Sequence, residues 1–437
     1  MADRRVAITG LGVVTPAGIG IDALWQNLLA GQSGIAPVEL FDASRFTCTI
    51  GGQLRDFSAR SYVPKEYRKA VKVMARDIEI AVAAADLAFK DSGLVTRASD
   101  GDNMTVPAKR LGCNIGAGLI CSDLDELGQA VNTALENGKF SLKLWGSQGM
   151  GNLTPLWLLK YLPNMLSCHV TIIHGCEGPS NCITCGDASG PLAVGEAARY
   201  IGRGAADAAI AGGAESKLNP MGLLRQELLK RLCTTGNASA ASACRPFDAD
   251  HAGTVIGEGG GLLVLEELDL AKARGAKIYA EIVGFGAACD PNAIDVLTPT
   301  AGGLDLAVTN ALRDAGVRPE QIGLIFAHGT GVPSEDALEA QAWRTALGEV
   351  ATKVPAVAIT GTVGSMFAGA GGVAISLAAM ALQKQTVPPT VNFSRPADGC
   401  GLNFSAQARP AKMDYAVAGA FTVGGQSGAV VLKRCDA

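Results

Sequence analysis

The stretch GPSNCITCGDASGPLAVGEAARYI, residues 178–201, decides the fold class. A Gly-Pro turn comes first, the apolar run 182–185 is typical of a strand, and a helix is predicted from about 189 to 202. A further strand is predicted at 208–211 and ends at GGAES. A strand, a tight turn, a helix and another strand in this order indicate an α/β unit.

Similar units recur on both sides of this stretch. The strand predicted at 6–11 ends at GLGVVTPAG and leads into a helix at 21–30, and the run 169–173 is predicted as a strand. Helices at 303–315 and 368–383 alternate with strands in the second part, and DYAVAGAFTVGGQSGAVVLKR predicts two strands around a glycine turn. The sequence therefore predicts an α/β protein of two similar halves, residues 1–255 and 256–437.

Composition excludes several classes of function. The 437 residues carry a net charge of −4, so no basic footprint for nucleic acid is present. No run of 18 or more apolar residues predicts a membrane span. The 12 cysteines are scattered and the chain starts without a long apolar segment, so we expect a cytoplasmic protein with reduced thiols.

Cys182 and Cys185 form a Cys-x-x-Cys pair just after His169 and His174. Such a pair is typical either of a metal or redox site or of thiols on a strand. Because no second Cys-x-x-Cys completes four ligands, we expect thiols on a strand, with no metal and no cofactor.

Seven motifs occur in one order, and together they indicate a family. They are residues 178–201, AAIAGGAES, FDADHAGTVIGEGGGLLVLEE, FAHGTGVPSEDALEAQA, GSMFAGAGGVA, QTVPPTVNF and FTVGGQSG. In order and spacing the chain resembles the β-ketoacyl-acyl carrier protein synthase II family of condensing enzymes. The resemblance implies a thiolase-like fold, with two similar βαβαβαββ halves stacked in five layers (α-β-α-β-α), and a dimer formed along paired strands.

The resemblance also implies a site, which this chain has altered. The family's cysteine nucleophile falls nine residues after the glycine of the turn, which is Asp187 here. Of the family's two histidines, His328 in AHGT is retained and the second is replaced by Ser365; Thr360 stands at the lysine position. Cys185 lies two positions before Asp187 and is an alternative nucleophile, set back along the strand.

Substrate-binding positions are implied in the same way. Thr330 matches a threonine that contacts the pantetheine arm, its companion threonine is Val332, and Val423 stands where a phenylalanine gates the acyl pocket. Simpler structural roles stay open for the others. Asp187 and Ser365 at helix starts suit N-caps, and His328 suits a packed core.

An ionised aspartate is a poor acceptor for the acyl group. Without the second histidine, decarboxylation of the malonyl thioester loses a hydrogen-bond donor to the developing oxyanion, which is worth about 10²–10³ in rate. The altered site resembles the cysteine-less ketosynthase β subunit, or chain length factor, of type II polyketide synthases, although familiar members more often carry glutamine at this position. That resemblance implies pairing with an active ketosynthase paralogue, a role in shaping the acyl-chain pocket, and an acyl carrier protein with a phosphopantetheine-linked chain as partner. The alternative that the chain pairs with a second copy of itself, as a homodimer, remains open.

Two other functions remain open. The chain could be an enzyme of altered chemistry, a hydrolase, acyltransferase or cyclase, in which Asp187 and His328 act as an acid–base pair on an acyl thioester. It could instead be a stand-alone acyl-binding or decarboxylating protein.

Overall fold

The computed structural model describes residues 4–291 and 302–435. Strands β1 to β17 span, in chain order, Val6–Thr15, Gly18–Ile19, Ile35–Pro37, Ile50–Gly52, Leu111–Gly116, Leu135–Glu136, Lys139–Phe140, Ser180–Ile183, Ala208–Ser216, Glu258–Glu267, Ala280–Cys289, Ile322–Phe326, Ala356–Val357, Thr386–Val387, Arg409–Pro410, Tyr415–Phe421 and Gln426–Lys433. Helices α1 to α14 span Ile21–Leu29, Arg76–Ser92, Arg97–Asp100, Leu124–Thr133, Leu142–Ser147, Trp157–Lys160, Met165–His174, Ser189–Gly202, Pro220–Leu228, Leu268–Ala273, Gly302–Ala315, Pro333–Leu347, Thr360–Val363 and Ala368–Lys384.

The strand order shows two halves of the same design. In the first half the order is β1-β10-β9-β5-β8, and in the second it is β11-β17-β16-β12-β13. Each half begins with two antiparallel pairings and ends with two parallel pairings. The antiparallel pairing of β1 with β11 joins the halves. The predicted duplication of an α/β unit is confirmed.

Helices cover both faces of the two half-sheets. Helices α8 and α14 lie between them, in a core that also contains residues of β1, β10 and β12. Helices α2 and α7 cover the outer face of the first half-sheet, and α11 and α12 cover that of the second. These are the five layers of the predicted thiolase-like fold. A continuous small-residue helix, α14, is buried from Ala368 to Leu382 because it is sandwiched between two sheets.

The β-branched residues of the run 169–173 predict a strand, but the run is part of helix α7. The buried residues of α7 are Leu166, Ser167, Val170, Ile173 and His174, and their spacing is helical. Burial of that face against α2 and β5 outweighs the strand propensity of the sequence.

The division at 255/256 stays a prediction. Strand β10 follows that point in the chain and pairs with β1 and β9 of the first half. Among the described residues, no helix is long and apolar enough to span a membrane.

Candidate functional site

Asp187 lies in a single 3₁₀ turn, Gly186–Ala188, between the end of β8 and the start of α8. Gly186 has a φ of 53°, a left-handed conformation that glycine adopts without strain and that turns the chain sharply before the helix. The side chain of Asp187 caps neither helix, so the N-cap role open from the sequence is wrong. The residue is buried, with 3% of its surface exposed.

The carboxylate of Asp187 forms a buried ion pair with His328. Oδ1 of Asp187 lies 3.3 Å from Nε2 of His328, and neither atom has a hydrogen-bond partner among the described residues. Burial by itself raises the pKa of Asp187 and lowers that of His328, but the ion pair outweighs it. The net pKa of Asp187 is below its ordinary 3.8 and that of His328 is above its ordinary 6.5. The ion pair thus favours the carboxylate form of Asp187 and the imidazolium form of His328.

Glu339 on α12 fixes the backbone of His328. Its carboxylate accepts hydrogen bonds from the N–H groups of His328 and Gly329, at 2.7 and 2.8 Å, and from Nε1 of Trp343 at 3.0 Å. The ring of His328 also packs edge-on against Phe421, with centroids 5.6 Å apart. The backbone of His328 is thus held by α12, and its ring packs against β16.

The other substituted positions lie behind this pair. The hydroxyl of Thr360 donates to the carbonyl oxygen of Gly329, so it braces the His328 loop and carries no charge. Ser365 precedes α14, whose N-cap is Phe367, so Ser365 does not cap it. The hydroxyl of Ser365 is buried without a hydrogen-bond partner among the described residues.

A cavity of ≈ 700 Å³ opens beside Asp187. Of the residues singled out from the sequence, Asp187 and Val423 line it, whereas Thr330 and Val332 are buried outside its wall. The roles of Thr330, Val332 and Val423 in binding an acyl thioester stay predictions. The hydroxyl of Thr330 accepts a hydrogen bond from the N–H of Val332 at 3.2 Å.

Cys185 does not share this cavity, although Thr184 and Gly186 on either side of it do. Its N–H donates to the hydroxyl of Ser189 at 2.8 Å, and burial raises the pKa of its thiol. A raised pKa disfavours the thiolate that a nucleophile needs. Cys185 is therefore badly placed to replace the family's cysteine. Among the residues that the structure describes, no group of three or more His, Cys, Asp and Glu is arranged to hold a metal ion.

One wall of the cavity carries a buried Glu215–Lys217 ion pair at the end of β9. The other oxygen of Glu215 accepts from the N–H of Ala368 at 2.9 Å, and Nζ of Lys217 donates to the carbonyl oxygen of Leu119 at 2.6 Å. Gly118 permits this arrangement, because a Cβ atom there would lie 1.7 Å from the carboxylate of Glu215.

A second buried ion pair lies beside it. Arg231 donates from Nε and one terminal nitrogen to the carboxylate of Glu335, at 2.7 and 2.9 Å, and from the other terminal nitrogen to Oε1 of Gln226 at 2.8 Å. Arg231 and Gln226 both line the cavity. No motif of the sequence singled out Arg231, Lys217 or Gln226. Glu215 stood in the motif AAIAGGAES and Glu335 in FAHGTGVPSEDALEAQA, both without a role.

The cavity wall combines charged side chains with apolar ones. Among the described residues that line it there is no cysteine and no histidine, and its one lysine, Lys217, is paired with Glu215. A protonated imidazole can donate a hydrogen bond, whereas it cannot accept a proton as a base.

Comparison with known proteins finds relatives along the whole chain. The family model of the β-ketoacyl synthase N-terminal domain matches residues 3–271, and that of the C-terminal domain matches residues 279–394. The 3-oxoacyl-[acyl-carrier-protein] synthase 2 of Vibrio cholerae is 36% identical over 437 residues, which cover 99% of this chain and 100% of that protein.

Two solved structures share the fold at 26% identity. The ishigamide ketosynthase/chain length factor superposes with a TM-score of 0.84 over 100% of both chains. A type II polyketide synthase ketosynthase, bound to a hexaketide and in complex with its acyl-carrier protein, gives 0.82 over 99% of this chain and 100% of that chain.

Proposed function

The chain belongs to the β-ketoacyl synthase family, and we propose that it is a member that does not condense acyl chains by itself. In this proposal it serves fatty-acid or polyketide synthesis in the cytoplasm as a chain length factor. It pairs with an active ketosynthase and completes the pocket into which the acyl chain grows. The observation that carries the proposal is the buried ion pair of Asp187 and His328 where the family has a nucleophilic cysteine.

The charge of Asp187 explains how the fold tolerates the loss. A carboxylate next to His328 supplies the negative charge that a thiolate would supply, so the imidazolium stays paired in a buried place. The carboxylate cannot store an acyl group, because its product would be a mixed anhydride that water attacks readily. Aspartate in place of cysteine therefore keeps a negative charge beside His328 but removes the group that would carry the acyl chain.

A partner subunit would cover surfaces that this chain leaves open. Among the described residues β8 pairs with β5 alone, so its other edge has unpaired backbone groups that suit strand addition. The segment between β5 and β8 exposes large apolar side chains. It is linked to β8 by a hydrogen bond of 3.3 Å from the thiol of Cys182 to the carbonyl oxygen of Pro163. The exposed apolar side chains include Leu119, Phe140, Leu142, Met150, Leu156 and Leu158.

A carrier protein would find a docking surface elsewhere on the chain. We define the basic surface as six exposed cations between β4 and α2, namely Arg55, Arg60, Lys65, Arg68, Lys69 and Lys72. Among the described residues only Arg55 of this set has an ion-pair partner, Glu39 at 3.6 Å. Such a surface suits an acidic partner, and a solved neighbour is a ketosynthase in complex with its acyl-carrier protein. The net charge of −4 hides this local patch.

One observation favours the second function, an enzyme of altered chemistry. Asp187 lines a cavity large enough for a ligand, and His328 is 3.3 Å from it. An imidazolium that donates to a thioester carbonyl, with a carboxylate that orients water, is a conceivable hydrolase. The lowered pKa of Asp187 makes it a weak base, so we rank this function second.

Co-expression separates the two functions. The chain is produced with a paralogue that has an intact Cys-His-His-Lys set, and the products are isolated by size exclusion and assayed with acyl and malonyl carrier protein. We expect a stable one-to-one complex whose condensation survives Asp187→Ala in this chain and fails when the paralogue's cysteine is replaced. A homodimer that hydrolyses acyl thioesters, and that loses this activity with Asp187→Ala, would instead establish the second function.

A further inference from the structure

One exposed cation at the cavity beside Asp187, Arg225, has no ion-pair partner among the described residues. Three ion pairs neutralise the other charges of the cavity wall. They join Asp187 to His328, Glu215 to Lys217, and Arg231 to Glu335. Arg225 on α9 is the remaining ionisable residue of the wall. Its contact among the described residues is the sulfur of Cys121 at 3.9 Å, and no carboxylate pairs with it there.

Gln226 next to it is a fixed hydrogen-bond donor. Its Oε1 accepts from Arg231, so the orientation of the amide is set and its NH₂ group faces away from that guanidinium. The residue is 7% exposed, and its NH₂ group, which makes no hydrogen bond to the described residues, is reached by solvent. Arg225 and Gln226 therefore bring an unpaired cation and an open donor to one wall of the cavity.

Hydrogen-bond donors with no internal acceptor favour a ligand with oxygen atoms. A saturated hydrocarbon chain would offer no acceptor to the amide of Gln226 and no charge to the exposed Arg225. A carboxylate would accept two parallel hydrogen bonds from the guanidinium and neutralise the cavity. The apolar residues of the same wall, such as Leu229 and Phe367, suit the methylene part of such a chain.

We propose that this cavity selects an acyl chain whose far end carries a carboxylate, with Arg225 as its charge partner and Gln226 as a second donor. The proposal rests on the proposed function, in that an acyl chain is the ligand. It goes further because it assigns the chemistry of the chain's far end. Leu119 and Leu228 at the cavity are 56% and 72% exposed, so the wall that Arg225 belongs to lies near the surface that a partner would cover.

The test compares two pantetheine amides with chains of equal length, one ending in a methyl group and one in a carboxylate. Isothermal titration calorimetry is carried out on this chain alone and on its complex with the active paralogue. We expect the carboxylate probe to bind roughly tenfold more tightly, and Arg225→Gln to abolish the difference. Arg203→Gln, at an exposed arginine without an ion pair outside the cavity, is the matched control and should keep the difference.

Equal affinity for the two probes, failure of both to bind, or a preference that survives Arg225→Gln would overturn the inference. It would also be overturned if Arg225→Gln weakened the complex with the paralogue and left the probe preference unchanged, because Arg225 would then pair with the partner. Size exclusion reports complex formation independently. If the chain forms the complex with the paralogue but does not prefer the carboxylate probe, only the inference is refuted. If it prefers the carboxylate probe but forms no complex, only the proposed subunit role is refuted.

Discussion

Oδ1 of Asp187 and Nε2 of His328 lie 3.3 Å apart, although 141 residues separate them in the chain. Asp187 comes from the turn before α8 in the first half, and His328 comes from the loop after β12 in the second. The two halves thus meet in one ion pair at the altered site. Its electrostatics can be tested without knowledge of the substrate.

Replacing Asp187 by asparagine should lower the pKa of His328. The imidazolium loses its nearest negative charge, while burial continues to disfavour the charged ring. Nuclear magnetic resonance of labelled histidine gives the pKa directly. His169 and His174 should titrate as before and serve as internal controls.

The same variant should change how stability depends on pH. The raised pKa of His328 contributes stability that is complete below 6.5 and is lost as pH rises through the folded pKa. The lowered pKa of Asp187 contributes stability that is complete above 3.8 and is lost as pH falls through its folded value. The advantage of the native protein over Asp187→Asn in urea unfolding should be greatest between these values. An advantage independent of pH would contradict the ion pair.

Restoring the cysteine should not restore condensation. Asp187→Cys places a thiol beside His328, but Thr360 and Ser365 still lack the ammonium and imidazole groups that the family uses. Loss of one donor to a developing oxyanion costs about 10²–10³ in rate, so we expect turnover at least about 10²-fold below that of an active ketosynthase. The measurement is condensation of acyl and malonyl carrier protein, with Asp187→Cys/Thr360→Lys/Ser365→His as the matched variant. Full activity from the single substitution would show that the other losses are harmless.

The sequence predicted the α/β fold and the five layers because strand-turn-helix patterns recur along both halves and the seven motifs keep their order. It failed at α7, where β-branched residues favour a strand and only burial against α2 reveals a helix. The meeting of Asp187 and His328 was implied by family resemblance. The Arg231–Glu335 pair was not, because 104 residues separate the partners and only the fold joins them.

Charge reversal within the basic surface should weaken carrier-protein binding. The double variant Lys65→Glu/Lys69→Glu replaces two exposed cations by anions, and an acidic partner would then be repelled. We expect roughly tenfold weaker binding at low ionic strength and a smaller difference at 1 M salt, where the Debye length is about 3 Å. Surface plasmon resonance with immobilised carrier protein measures both. Lys353→Glu, at an exposed lysine outside the basic surface, should bind the carrier protein normally. If it weakened binding as much as the double variant, the basic surface would not be the docking site.

Two glycine-to-alanine substitutions should have opposite effects on stability. Gly372 in α14 lies against β10, and a Cβ atom there would be 2.0 Å from the carbonyl oxygen of Gly261. The helix would have to move away from the sheet, which typically costs about 1–3 kcal/mol. Gly128 in α4 has no atom within 4 Å of its added Cβ. Alanine there should stabilise the chain by up to about 1 kcal/mol through helix propensity.

Urea unfolding of Gly372→Ala and Gly128→Ala at equal protein concentration compares the two effects directly. Because α14 separates the two half-sheets, its displacement should also disturb the site, where Ala368 at the start of the same helix donates to Glu215. Gly372→Ala should therefore weaken ligand binding in the Asp187 cavity, whereas Gly128→Ala should leave it unchanged. If Gly372→Ala were as stable as the native chain, α14 and β10 could not be in backbone contact, and the close packing of the central layer would be refuted.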